Sequence, residues 1–215
     1  MTPALLFDLD GTLADTASEL HAAAAAALSD LQLPPVPFEE AREYIGDGMP
    51  RFLKRLITRQ WWGEPTENLY QQAYERMTHH YQNYCNRSNL YAHVPETLAQ
   101  FKTRALPMAC VTNKAERYSK SLLEKSGIAH YFSVVVGGDT LSVKKPDPAP
   151  LQEAMRHLAV TAENTIMVGD SIADSRAAVA AGCQFICMRY GYHRAGMLPP
   201  ADYYADCFSQ ITRWV

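Results

Sequence analysis

Short apolar runs alternate along the chain with longer amphipathic stretches. Ala4 to Phe7, Met108 to Thr112, Val134 to Gly137, Ile166 to Gly169 and Phe185 to Met188 are rich in aliphatic or β-branched residues and have the length of buried strands. Between the later runs, Thr97 to Ala105, Ala115 to Lys125 and Pro150 to Leu158 carry apolar residues three and four apart, which predicts helices. Strand, helix and strand in repetition imply parallel pairing through right-handed crossovers. The expected fold class is therefore α/β, a doubly wound parallel sheet of Rossmann-like form, whose ligands sit beyond the carboxyl ends of the strands.

Residues 15–88 break this rhythm. Ala14 to Leu31, Phe38 to Tyr44, Pro50 to Trp62 and Thr66 to Tyr84 read as helices, separated by the turn-rich stretches Leu33 to Pro37, Gly46-Asp47-Gly48 and Gly63-Glu64-Pro65. An all-helical insertion thus follows the first strand, dividing the chain into a core of residues 1–14 and 89–215 and a cap of residues 15–88. The run Ala22 to Ala27 needs no function, since alanine is the strongest helix former.

Composition narrows the function classes. The 215 residues are 47% hydrophobic and 20% charged, as in an ordinary globular protein, which excludes a disordered or collagen-like chain. A formal charge of −3 gives no electrostatic reason to expect nucleic acid or anionic lipid as a partner, so an anionic substrate must be recruited by local charge. Cys85, Cys110, Cys183, Cys187 and Cys207 form no CxxC pair and suggest neither a disulfide framework nor a zinc knuckle. The N-terminal residues lack a basic, then long apolar, leader, and no stretch has the length of a membrane span. A cytoplasmic protein is expected.

Chemistry concentrates where strands end. Asp8 and Asp10 follow the first strand in Phe7-Asp8-Leu9-Asp10-Gly11-Thr12, and residues two apart in extended chain point the same way, so both carboxylates aim into one crevice. Gly169-Asp170-Ser171-Ile172-Ala173-Asp174 ends another strand in acid, with Ser171 placed to cap a helix from Ile172 to Ala181 and Asp174 on its first turn. Thr112 and Asn113 close a third strand at a helix start whose free N–H groups suit an anion. Lys144 and Lys145 follow the strand after that, in a loop stiffened by Pro146 and Pro148. Each feature alone reads equally as a turn, a cap or an exposed charge; their joint occurrence at strand ends decides for a site. Walker-type phosphate loops, GxGxxG, GxSxG and HExxH are missing.

These four segments, in this order from Ala4 to about Ala181, resemble the motifs of the haloacid dehalogenase superfamily of phosphohydrolases. The resemblance implies Asp8 as a nucleophile that forms an aspartyl-phosphate, Asp10 as general acid and base, Thr112 as a phosphoryl ligand and Lys145 as the charge-neutralising lysine, being the one directly before proline. It also implies a metal site of Asp8, Asp10 through its backbone carbonyl, and Asp170, with Asp174 acting through water or by orienting the lysine. Hard oxygen donors beside a phosphate dianion make Mg²⁺ the natural cation.

The helical insertion is similar to the small cap of that superfamily, and Tyr44 to Leu56 resembles the Ile-Gly-x-Gly segment and following helix of phosphoglycolate phosphatases. The substrate-binding set expected is Thr112, Asn113, Gly46 and Gly48, together with Arg51 and Arg55, which lie four apart on one face of the predicted helix so that one of them meets a substrate carboxylate. The expected activity is Mg²⁺-dependent hydrolysis of a small phosphorylated metabolite, foremost 2-phosphoglycolate, by a monomer or homodimer. A sugar or amino-sugar phosphate phosphatase and a sugar-phosphate mutase share these motifs. A non-catalytic phosphate-sensing or interaction domain on the same fold is the alternative from another class.

Overall fold

The computed structural model describes residues 3–84, 89–194 and 197–215; Cys85 and the expected cap boundary at Ser88 lie outside them. Its centre is a six-stranded sheet in the order β5-β4-β1-β6-β7-β8, built from β1 (Ala4–Phe7), β4 (Met108–Val111), β5 (Val134–Val136), β6 (Thr165–Gly169), β7 (Gln184–Met188) and β8 (Tyr203–Ala205). Every pairing is parallel. The α/β class is thus the one observed.

The unbroken apolar runs follow from burial on both faces. Leu5 and Phe7 pack towards Leu98 and Phe101 of α5 (Val94–Thr103), Leu122 and Leu123 of α6 (Glu116–Lys125), and Phe208 and Ile211 of a C-terminal 3-10 turn. Leu6, Ala109 and Met167 join Leu151 and Ala154 of α7 (Ala149–Leu158) and Ala177 and Ala178 of α8 (Ile172–Ala181) on the other face. A strand covered on both sides has no solvent face to make polar, so its pattern is continuous rather than alternating.

Four helices lie between β2 (Ala14–Asp15) and β3 (Asn89–Leu90): α1 (Ala17–Asp30), α2 (Phe38–Glu43), α3 (Gly48–Thr58) and α4 (Glu67–Tyr84). They share a separate core in which Ala23, Ala24 and Ala27 meet Phe52, Leu53, Ala73 and Met77. Strands β2 and β3 pair antiparallel, Ala14 with Leu90 and Asp15 with Asn89, so the two chain crossings into the insertion form one ribbon. This pairing explains why α1 begins at Ala17 rather than at Ala14, where the apolar pattern starts.

Candidate active site

The central position of β1 assembles the site. Strands β4 and β6 flank it in register, so Asp8, Thr112 and Asp170 emerge side by side at the carboxyl ends of the central strands. Asp8, Asp170 and Asp174 each offer a carboxylate oxygen within 4.8 Å of the others, and all three are buried. Lys145 is 1% exposed and plugs the end of β4, with Nζ 2.6 Å from the Val111 carbonyl, 2.6 Å from Asp174 Oδ1 and 3.0 Å from Asp8 Oδ1. Burial alone would depress its pKa; the Asp174 and Asp8 carboxylates outweigh that and hold it above the ordinary lysine range.

Local structure fixes each acid. The Leu9 amide donates to Asp8 Oδ1 at 2.7 Å. Asp170 accepts from Thr12 Oγ1 at 2.8 Å and from the Tyr192 amide at 2.6 Å. Gly11 lies so close that a β-carbon there would strike the Asp170 carboxylate, and its φ of +82° also favours glycine. Ser171 and Asp174 form the expected capping box on α8: Asp174 N donates to Ser171 Oγ, while Asp174 Oδ2 accepts from the Ser171 amide at 2.9 Å and from its hydroxyl at 2.6 Å. With Lys145 on its other oxygen, Asp174 is the most heavily hydrogen-bonded of the three acids.

One ammonium does not balance three buried carboxylates. Burial, then the Asp174 charge, pushes Asp8 up to about 7 despite Lys145. Asp170 is likewise pushed well above the carboxylate range by burial and by Asp8 and Asp174. Excess negative charge on hard oxygen donors suits a divalent cation of the oxygen-seeking kind.

Asp10 stands apart from this cluster. Its Oδ1 pairs with Lys114 Nζ at 2.9 Å, so its side chain is not among the clustered metal-ligating groups. Lys114 is 7% exposed and also donates to the Tyr81 hydroxyl at 2.6 Å, and that hydroxyl reaches Glu19 Oε1 at 3.2 Å. Burial works against its charge, yet Asp10 and Tyr81 keep its pKa raised. Motif reasoning missed Lys114, although its place directly after Thr112-Asn113 at a helix start was the available signal.

Asp8, Asp10, Thr112, Asn113 and Lys114 open onto a cavity of about 220 Å³ between the carboxyl ends of the strands and the helical insertion, lined across from them by Gly46, Gly48, Phe52, Thr78 and Tyr81. The glycine loop sits on the core: Asn113 Nδ2 donates to the Gly46 carbonyl at 3.1 Å and to the Lys145 carbonyl at 2.9 Å, and Lys144 Nζ donates to the Asp47 carbonyl at 2.6 Å. The two helix arginines are elsewhere. Arg55 is 1% exposed and spends its guanidinium on the Tyr44 and Trp61 carbonyls and on Asp47 at 2.5 Å. Arg51 pairs with Glu64 at 2.9 Å and lies over Trp62. Neither is among the residues that line the cavity; the helix face they share is turned to the insertion's own loops.

Comparison with known proteins agrees with this geometry. A family model described as haloacid dehalogenase-like hydrolase matches residues 5–188. The chain belongs to that family. Phosphoglycolate phosphatases of Nitrosococcus oceani and Pectobacterium atrosepticum are each 41% identical to this hydrolase, the first over 190 residues (88% of this chain, 84% of that one), the second over 211 (96% and 89%). The crystal structure of a predicted phosphoglycolate phosphatase from Haemophilus somnus superposes with a TM-score of 0.89 at 31% identity, covering 99% of this chain and 97% of that one. The chain is accordingly a phosphoglycolate phosphatase-like member of the family, and a hydrolase of phosphoric monoesters.

Proposed function

We propose that this hydrolase cleaves 2-phosphoglycolate through an aspartyl-phosphate on Asp8, with Mg²⁺ as the cation. The observation that carries the reading is Asp8 itself: a carboxylate at the end of the central strand, open to the cavity and 3.0 Å from a buried lysine. Such a group attacks phosphorus in line while Lys145 offsets the charge of the phosphoryl oxygens. Asp10, two residues on and lining the same cavity, protonates the leaving alkoxide and then takes the proton of the water that hydrolyses the phosphoenzyme. Thr112 and the N–H groups after β4 receive the phosphoryl oxygens.

Asp8, Asp170 and the Asp10 backbone carbonyl would hold Mg²⁺, and Asp174, saturated by Ser171 and Lys145, orients the lysine. When bound, the cation supplies charge neutralisation between nucleophile and phosphate. A cytoplasmic setting suits the buried free thiols Cys110, Cys183 and Cys187. The test is phosphate release from a panel of phosphorylated metabolites. Turnover of 2-phosphoglycolate is expected to exceed that of sugar phosphates, to stop with EDTA, to return with Mg²⁺ and to vanish in Asp8→Asn; near-wild-type turnover in folded Asp8→Asn rejects the mechanism.

A further inference from the structure

A substrate carboxylate needs a cation, and with Arg51 and Arg55 committed to Glu64, Asp47 and main-chain carbonyls, the insertion's helix does not provide it. The chemistry of the reaction says where that cation must stand. In 2-phosphoglycolate the carboxylate carbon is two bonds from the bridging oxygen, and the bridging oxygen is the atom that Asp10 protonates. The substrate's second charge therefore comes to rest close to the Asp10 carboxylate, where like charges repel unless a positive group lies between them.

Lys114 Nζ occupies that place. It is 2.9 Å from Asp10 Oδ1, it lines the cavity, and of its three N–H donors one goes to Asp10 and one to the Tyr81 hydroxyl. Among the described residues, the other cavity cations are placed differently: Lys144 donates to the Asp47 carbonyl, and Arg117 lies over the Tyr118 ring with a 2.7 Å bond to its hydroxyl. Tyr81 also anchors Lys114 to the insertion through Glu19, so the ammonium is fixed from both sides of the cavity.

We infer that Lys114 is the specificity-determining residue for the acid end of the substrate, its remaining N–H meeting the carboxylate while its first holds Asp10 in position. This inference rests on the phosphoglycolate reading. It moves selectivity for the acid from the cap helix to the core, onto the residue following Asn113.

The experiment compares kcat/KM for 2-phosphoglycolate with that for 2-hydroxyethyl phosphate, which has the same phosphate and carbon chain but no carboxylate. In Lys114→Gln, which still donates hydrogen bonds but carries no charge, the ratio of the two is expected to fall about 10- to 100-fold, the size of one charge-assisted contact. Arg117→Gln is expected to shift that ratio far less. Both substrates slowed in parallel by Lys114→Gln, or a larger loss of selectivity in Arg117→Gln, would overturn the assignment. Lys114→Met serves as a second neutral variant, and circular dichroism confirms that each is folded. A wild-type enzyme without preference for the acid would instead reject the phosphoglycolate reading itself, and this inference with it.

Discussion

Two adjacent lysines face opposite ways, one into the core and one towards the insertion. Lys145 is buried among Asp8, Asp174 and the Val111 carbonyl, whereas Lys144 reaches across to the Asp47 carbonyl of the insertion. Replacing Lys145 leaves two buried acids without their cation, a change that costs about 3–5 kcal/mol where one partner of a buried pair is removed. Lys145→Ala is therefore expected to melt at clearly lower temperature and to lose roughly 10²–10³-fold or more in kcat, as when a transition-state donor is deleted. Lys144→Ala keeps the charge at Asp8 and is expected to lose no more than about tenfold, chiefly in KM, because its ammonium donates to a cap carbonyl. Thermal melts with steady-state kinetics on both variants check the ranking, and its reversal would overturn the role proposed for Lys145.

Helix α8 shows how an element carries a functional requirement. Its capping box consumes the same Asp174 that pairs with Lys145, so helix start and buried lysine are held by one carboxylate. Ser171→Ala removes the cap and one donor to Asp174. A stability loss of about 1 kcal/mol is expected, read as a drop of roughly 2–4 °C in Tm for a chain of this size. A several-fold fall in kcat should accompany it, and Ser171→Thr should restore both; unchanged kcat in Ser171→Ala would separate the cap from the lysine.

At this scale much was legible beforehand, because strand ends and helix caps are local signals. The five expected strands, the helix from Ile172 to Ala181 and the acids flanking them follow from runs of four to ten residues. The ribbon of β2 and β3 was not legible, since two-residue strands have no period and exist only through each other. Strand β8 was hidden for a similar reason: three residues, two of them tyrosines half exposed at the sheet edge, take their form from pairing with β7. Helix α3 runs from Gly48 to Thr58 where the apolar pattern predicts Pro50 to Trp62, because nothing in that pattern announces that Arg59 adopts the left-handed conformation that ends it. Arg51 and Arg55 were correctly placed on one helix face, but which way a face turns is settled by tertiary packing, here by Asp47, Trp61 and Glu64.

The insertion seats on the core beside Asp8 through its glycine loop, with the Lys114–Tyr81 bond as a second contact nearby. Gly48 has a φ of +79°, and a β-carbon there would come within 2.9 Å of the Asn113 carbonyl, a main-chain atom held by the end of β4 and the start of α6. The alanine of Gly48→Ala thus meets both a left-handed backbone, costing about 1 kcal/mol or more, and a neighbour that cannot swing aside. The four-helix core of the insertion does not include this position, so Gly48→Ala is expected to fold. What it should lose is docking: the loop lifts from Asn113 and Lys144, water enters the cavity, and the positions of Lys114 and Tyr81 relative to Asp10 relax. We expect kcat/KM for 2-phosphoglycolate to fall by at least about tenfold, since misplacement of about 1 Å is enough for a hundredfold effect. Amide hydrogen exchange should rise along residues 44–50 while the strands of the sheet stay protected. Wild-type kinetics and exchange in Gly48→Ala would mean that the loop need not seat on Asn113 for turnover, and that the cavity closes by some other contact between insertion and core.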